Sequence, residues 1–153
     1  KNLDTVLHAL AKVPDLHLAV VGHIEGSPFP QLAASLGLSD RVHFVGFRRD
    51  IPEIMRSVDL FIFPSRYEAC SLVLLEALSS GLPVITTTAT GGAELVTPEC
   101  GIVLSDSDDI DALALALLTL ASSPALIRGA ACRQTSHPNA TDGASRPLCS
   151  RTI

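Results

Sequence analysis

Two glutamates, Glu68 and Glu76, are the side chains whose type and spacing best suit chemistry in this sequence. They lie in the segment PSRYEACSLVLLEALSSGLPV, which passes from an apolar run through a short polar stretch into a helical pattern. Glu68 falls in the predicted loop. Glu76 falls about five positions into the predicted helix, roughly 7 Å along its axis at ~1.5 Å per residue. Both carboxylates are therefore expected to border one cleft.

The predicted start of that helix is a candidate anion site. Its first backbone N–H groups, near Ser71 and Leu72, have no acceptor within the helix and lie at the positive end of the helix dipole. A diphosphate fits such a site. Neighbouring carboxylates are compatible with it if they point away from the phosphates and accept hydrogen bonds from sugar hydroxyls. The segment thus favours a ligand that carries both a diphosphate and a sugar.

Each glutamate also has a purely structural interpretation. Glu76 could lie on the solvent side of its helix, since Ser79 and Ser80 follow it at i+3 and i+4 on the same face. Glu68 could be an ordinary solvated loop carboxylate. The spacing alone leaves these alternatives open.

The elements that position these residues alternate between helix and strand. Short apolar runs predict strands, and apolar residues at i, i+3, i+4 and i+7 predict helices. Asp50, followed by Glu53, is typical of a capping box that begins a helix. Ser107 is predicted to open another helix, and a last short helix is expected over 123–129. The predicted strands cover 16–21, 42–45, 60–63, 84–87 and 102–104.

Strands separated by helix-length crossovers must run parallel. The expected fold class is therefore α/β, an open parallel sheet with helices on both faces. Ligands of such sheets bind outside the carboxyl ends of the strands, which directs attention to the loops after Val21, Phe63 and Thr87. Residues 1–130 form the expected domain. Residues 131–153 lose the periodicity and are expected to be an irregular or disordered tail, with a structured extension as the alternative.

Composition excludes several classes of function. The chain has 153 residues and a net charge of −5, and the tail carries three arginines and one aspartate, so the first 130 residues hold −7. Nucleic acid binding normally requires a basic face, which is not visible here. The four cysteines form no CxxC pair, the histidines share no metal-ligand spacing, and no apolar run is long enough to span a membrane. We expect a cytoplasmic protein without a metal.

Several ordered motifs resemble those of glycosyltransferase family 4, the group 1 glycosyltransferases. Glu68 and Glu76 form that family's E-x7-E pattern. Flanking motifs agree in order, and the resemblance covers residues 1 to about 129. The matching segments are PS-x-x-E at 64–68, EA-x-x-x-G-x-PV at 76–84, DRVHFVGF at 40–47, TGGAELV at 90–96 and GIVL at 101–104.

The resemblance implies the nucleotide-sugar-binding half of a retaining enzyme with the GT-B fold. It implies that Glu76 binds the ribose hydroxyls and that Glu68 lies at the transferred sugar. It also implies that the diphosphate meets Lys1, which corresponds to the family's phosphate-binding lysine, and the backbone amides of Cys70, Ser71 and Leu72. Gly22, which follows a strand and precedes a helix, is a further candidate for donor binding; the alternative is an ordinary strand-to-loop turn.

The same resemblance carries expectations about partners. The donor is a substrate, so no cofactor is expected. The arginine that precedes the lysine in the family is absent, and so is the N-terminal domain that would bind the acceptor. The chain is therefore expected to be an incomplete enzyme that does not act alone, and any membrane association would arise through the missing part. The loop reads Glu68, Ala69, Cys70, Ser71 where the family reads E-G-F-G.

Two other functions remain alternatives. One is a binding module of flavodoxin-like or receiver-like type, because the fold alone does not determine function. The other is a related GT-B epimerase or phosphorylase. The roles of two residues are also left open by the sequence. Cys70 could be a spacer or a reactive thiol, and Glu94 could line the cleft or cap a short helix.

Overall fold

The computed structural model describes residues 1–123 and 151–152. Helices and strands alternate along the chain, as the apolar patterns predict. The helices are α1 Leu3–Ala11, α2 Phe29–Ser35, α3 Ile51–Ser57, α4 Leu72–Ser79 and α5 Ile110–Ala121, with a 3-10 helix at Ala93–Leu95. The strands are β1 Leu16–Val21, β2 Val42–Gly46, β3 Phe61–Phe63, β4 Val84–Thr87, β5 Gly101–Leu104 and β6 Arg151–Thr152.

The strands form two parallel three-stranded sheets, in the orders β2-β1-β6 and β3-β4-β5. In the first sheet Leu18 of β1 pairs with Val42 of β2, and in the second Ile85 of β4 pairs with Ile62 of β3 and Ile102 of β5. The predicted α/β class with parallel strands is confirmed. The strands are not joined into one continuous ladder, because within the described residues β1 and β3 do not pair.

Helices cover both faces of the strands, as expected. Successive residues of a strand point to opposite faces, and β4 shows this directly. Val84 packs with Leu74 and Ala77 of α4 and Met55 of α3, whereas Ile85 packs in a larger cluster with residues of α1, α2 and α5. Strand β4 is therefore covered by helices on both of its faces.

Three local predictions need correction or fall outside the description. Asp50 precedes α3, but its side chain makes no capping hydrogen bond and instead accepts from the guanidinium of Arg48, at 2.8 and 2.5 Å. Helix α5 is capped by Asp109, which accepts from the N–H of Ala112, rather than opened by Ser107. The predicted helix 123–129 and most of the predicted tail lie outside the described residues, and Arg151–Thr152 pairs with β1.

Candidate functional site

The loop that carries Glu68 is held by the backbone of the loop after β4. The N–H of Glu68 donates to the carbonyl of Ala89 at 3.0 Å, and its own carbonyl accepts from the N–H of Gly91 at 2.6 Å. Glu68 and Thr90 thereby form an isolated parallel bridge. This extends the pairing of β3 and β4 beyond their ends, so the position of Glu68 is set by backbone geometry.

Buried hydroxyl groups fasten the first part of the same loop. Thr86 and Thr87, at the end of β4, donate to the carbonyls of Phe63 and Ser65 at 2.9 and 2.7 Å. Ser65 is itself buried and donates to the carbonyl of Tyr67 at 3.1 Å. Buried polar groups require such partners. These three hydroxyl groups therefore have a structural role: they fix the loop so that Glu68 lies at the edge of the strands.

Gly91 allows the two loops to approach closely. A Cβ at this position would meet the carbonyl group of Ala69, with its carbon 2.6 Å away, and would lie 3.1 Å from the amide nitrogen of Cys70. These are backbone atoms, which cannot rotate away. In the sequence, the TGG segment is recognisable only as part of a motif; the close approach of the two backbones is the physical reason for its glycine at 91.

Lys1 and Glu68 are brought together although 67 residues separate them in the sequence. The ammonium group of Lys1 forms an ion pair with Oε2 of Glu68 and lies 4.8 Å from the centroid of the Phe63 ring. The side chain of Lys1 is 65% exposed and that of Glu68 is 24% exposed. The site thus presents a cation and a carboxylate side by side at a solvent-accessible position.

Helix α4 begins at Leu72, four residues after Glu68, and the structure of its first turn changes one expectation. Ser71 is buried, its Oγ accepts from the N–H of Leu74 at 3.3 Å, and its own N–H donates to the carbonyl of Gly91 at 3.1 Å. The amide of Ser71 is therefore already used and does not face a ligand. In the part of the chain that the structure describes, the amides of Cys70 and Leu72 have no protein acceptor, and both residues are exposed.

Glu76 lies on the exposed side of α4. Among the described residues its carboxylate has no hydrogen-bond or ion-pair partner, and its carbonyl accepts from the hydroxyl of Ser80 at 2.8 Å. It is four residues beyond Leu72, which corresponds to about 6 Å along the helix axis. This geometry is compatible with a ligand contact and with a solvated helix surface, so the role of Glu76 stays a prediction.

Gly22 ends β1 with φ +143°, a conformation that favours glycine. Its N–H donates to the carbonyl of Gly46 at 2.9 Å, which ties the carboxyl ends of β1 and β2 together. No hydrogen bond or ion pair joins it to the Glu68 loop within the described residues. Beside it, the rings of His23 and Phe47 stack at 5.0 Å between centroids, and Phe47 is 60% exposed.

Sequence reasoning missed two residues that hold the site, Arg66 and Asn2. Arg66 donates to Asp108 and Asp4, and Asn2 is a buried residue with φ 62° that donates to the carbonyl of Ser107. Asn2 immediately precedes α1. Asparagine is one of the non-glycine residues that most often adopt the left-handed conformation, so its presence there was a signal that the sequence offered. Nothing in the sequence near Arg66 indicates partners that lie 42 and 62 residues away.

Other candidate features have simpler roles. The carboxylate of Glu94 accepts from the N–H of Gly92 at 3.1 Å, which favours its interpretation as a cap of the 3-10 helix. The described residues contain no group of three or more histidines, cysteines or acidic residues placed to hold a metal ion. No helix of the described chain combines the length and apolarity needed to cross a membrane.

Comparison with known proteins gives consistent matches. The sequence profile of the family "Glycosyl transferases group 1" matches residues 1–123. Lipopolysaccharide glucosyltransferase WaaG of Escherichia coli strain K12 is 38% identical over 112 residues, which cover 69% of this chain and 30% of WaaG. The chain therefore spans about a third of the length of this curated relative.

Solved structures share the fold. A crystal structure of WaaG superposes with a TM-score of 0.77 at 34% identity, over 87% of this chain and 38% of that one. Anabaena Alr3699/HepE, determined in complex with UDP-glucose, superposes with a TM-score of 0.69 at 26% identity, over 86% of this chain and 39% of that one.

Proposed function

Because this chain belongs to the group 1 glycosyl transferases, we propose that it binds a nucleoside diphosphate sugar at Lys1, Glu68 and the start of α4. The sugar would be transferred to an acceptor hydroxyl with retention at the anomeric carbon. In this proposal residues 1–130 are the donor-binding half, and a second domain would bind the acceptor; the chain spans about a third of the length of its relative WaaG, which supports this. No cofactor enters this proposal, since the nucleotide sugar is itself the substrate.

The convergence of Lys1 and Glu68 beside the amino end of α4 is the observation that carries the proposal. A diphosphate needs a cation and unpaired N–H donors, which Lys1 and the amides of Cys70 and Leu72 provide. A sugar needs hydrogen-bond acceptors, which the carboxylate of Glu68 provides. These groups come from two separate parts of the chain, Lys1 and the segment 68–72, and meet at the carboxyl edge of β3.

The ion pair between Lys1 and Glu68 does not obstruct a donor. Exposed ion pairs contribute about 0.2–1 kcal/mol, and the side chain of Lys1 is mostly exposed. The phosphates can therefore draw the ammonium group away from Glu68, which leaves the carboxylate to the sugar hydroxyls. Leaving-group stabilisation by Lys1 and the helix amides would then supply the electrostatic part of catalysis.

A calorimetric titration of the 153-residue chain with UDP tests the phosphate contacts. UDP is a suitable probe because the similar HepE was determined with UDP and with UDP-glucose. Lys1→Gln should weaken UDP binding about tenfold, since it removes a charge-assisted hydrogen bond. Lys12→Gln is the matched control, because Lys12 is also an exposed lysine paired with a carboxylate, that of Asp111. Equal affinity in both variants would contradict the phosphate contact.

The same titrations separate the two glutamates. Glu76→Gln should weaken UDP and UDP-glucose binding together, by about 1.5–3 kcal/mol, because both ligands carry the ribose. Glu68→Gln should leave UDP binding intact and weaken only UDP-glucose, and Glu53→Gln serves as the control on an exposed helix glutamate. If neither of the first two substitutions changes any affinity, Glu76 is simply the solvent side of α4.

A further inference from the structure

Arg66 joins the two segments that carry Lys1 and Glu68. Its Nη2 donates to Oδ2 of Asp4 at 3.0 Å, and its Nε donates to Oδ1 of Asp108 at 2.8 Å. Asp4 lies in the first turn of α1, three residues after Lys1, and Arg66 lies two residues before Glu68. The guanidinium group of Arg66 therefore links the segment that carries Glu68 to the segment that carries Lys1, without contacting either member of the ion pair itself.

Asn2 anchors the same region to the loop before α5. It is 3% exposed, its Nδ2 donates to the carbonyl of Ser107, and its Oδ1 accepts from the hydroxyl of Thr5 at 2.9 Å. Its φ of 62° turns the chain sharply between Lys1 and α1. Asn2 thus binds Ser107, and Arg66 binds the next residue, Asp108. The segments that carry Lys1 and Glu68 are therefore both attached to the loop before α5.

We infer that Arg66 is a positioning residue that sets the distance between the Lys1 ammonium group and the Glu68 carboxylate. This inference rests on the proposed function, since that distance matters when one group binds phosphate and the other binds sugar. The planar guanidinium group suits the task because its separate N–H groups reach two carboxylates at once. Partial burial raises the pKa of Asp4, but the hydrogen bond and charge of Arg66 together with backbone hydrogen bonds lower it by more, and the net lowering agrees with this contact.

The exposure of the three side chains argues against a role in stability alone. Asp4, Arg66 and Asp108 have side chains that are 43%, 53% and 56% exposed. Ion pairs of this kind contribute little to folding. Their effect is therefore expected in the geometry of the site rather than in the unfolding midpoint.

Three variants test the inference by their affinity for UDP. Arg66→Gln and Arg66→Lys should each weaken UDP binding by about threefold, because neither side chain can hold both aspartates in the same fork. Arg48→Gln removes another exposed arginine, 45% against 53% for Arg66, that pairs with Asp50, and it should leave the affinity unchanged. Full affinity of Arg66→Lys would show that the charge of Arg66 matters and not its geometry, and would overturn the inference.

A second readout does not depend on donor binding. The ¹³C chemical shift of the Glu68 carboxyl group should respond to Lys1→Gln in the wild-type background and in Arg48→Gln, because the pair is in place. The response should shrink strongly in Arg66→Gln, while the unfolding midpoint stays close to that of Arg48→Gln. An undiminished response in Arg66→Gln overturns the positioning role. Absence of UDP binding by the wild-type chain would instead contradict the proposed function, and the chemical shifts would still decide the role of Arg66.

Discussion

At the scale of single residues, the backbone approach at Gly91 is the tightest constraint on the candidate site. The loop after β4 lies against Ala69 and Cys70 with no room for a side chain. The hydrogen bond from Gly91 to the carbonyl of Glu68 exists only at this separation. The identity of residue 91 therefore controls the position of a carboxylate that is distant in the sequence.

Gly91→Ala should displace the Glu68 loop and destabilise the fold by about 1–3 kcal/mol, the usual cost of overpacking. It should also weaken UDP-glucose binding more than UDP binding, since Glu68 is the proposed sugar contact. Gly26→Ala is the control: a Cβ there would meet nothing within 4 Å, although Gly26 has a left-handed φ of +71° and Gly91 does not. Urea unfolding and calorimetry measure both effects. Equal losses of UDP-glucose affinity in the two variants would show that the clash at Gly91 does not control the position of Glu68.

At the scale of elements, strands β1 and β4 have the bounds that the sequence predicted, and the start of helix α4 was also predicted correctly. The predicted start near Ser71 and Leu72 agrees with the observed helix Leu72–Ser79, because a capping serine is a local signal at the start of a helix. Local signals were insufficient at α3, where Asp50 binds the nearby Arg48 instead of capping the helix. They were also insufficient for the amide of Ser71, whose acceptor, Gly91, belongs to another strand's loop.

Ser71→Ala tests whether the cap of α4 also serves the ligand. Loss of the hydrogen bond to Leu74 should lower the free energy of unfolding by about 1 kcal/mol. Asp109→Ala removes the corresponding cap of α5, which bonds to Ala112, and should cost a similar amount. Only Ser71→Ala should also weaken UDP binding, because only α4 directs its first amides to the proposed diphosphate. A similar loss of affinity in both variants would assign the effect to general destabilisation.

At the scale of the whole molecule, one hydrophobic cluster joins the two sheets. It contains Leu16 and Leu18 of β1 together with Ile85 of β4 and Leu104 of β5. The two sheets therefore share a core although their strands do not pair. The alternation of helix-like and strand-like apolar segments in the sequence was sufficient to predict the α/β class, because each apolar segment indicates an element that is buried in the core. It could not predict which strands pair or that Lys1 meets Glu68, because those contacts depend on residues far apart in the chain.

The charge pairs on the surface of this molecule predict how its stability depends on pH. The hydrogen bond from Arg48 lowers the pKa of the Asp50 carboxyl from 3.8 to about 2. For Asp4, partial burial raises the pKa, but the hydrogen bond from Arg66 and further hydrogen bonds outweigh it, so the net direction is also downward. Both carboxylates thus bind protons more readily in the unfolded chain than in the folded one.

Stability must therefore rise with pH across the interval between the folded and the unfolded pKa values. The contribution of each pair is fully present above the unfolded value, about pH 4, and is lost as pH falls through the folded value. Because both aspartates are partly exposed to solvent, screening keeps the contribution small. We expect the free energy of unfolding by urea to decline from about pH 4 to pH 2 in the wild type, and to decline less steeply in a variant with Arg48→Gln and Arg66→Gln together. Identical slopes in the two proteins would mean that these pairs are not formed in solution, and the support that Arg66 gives to the Glu68 loop would then be absent as well.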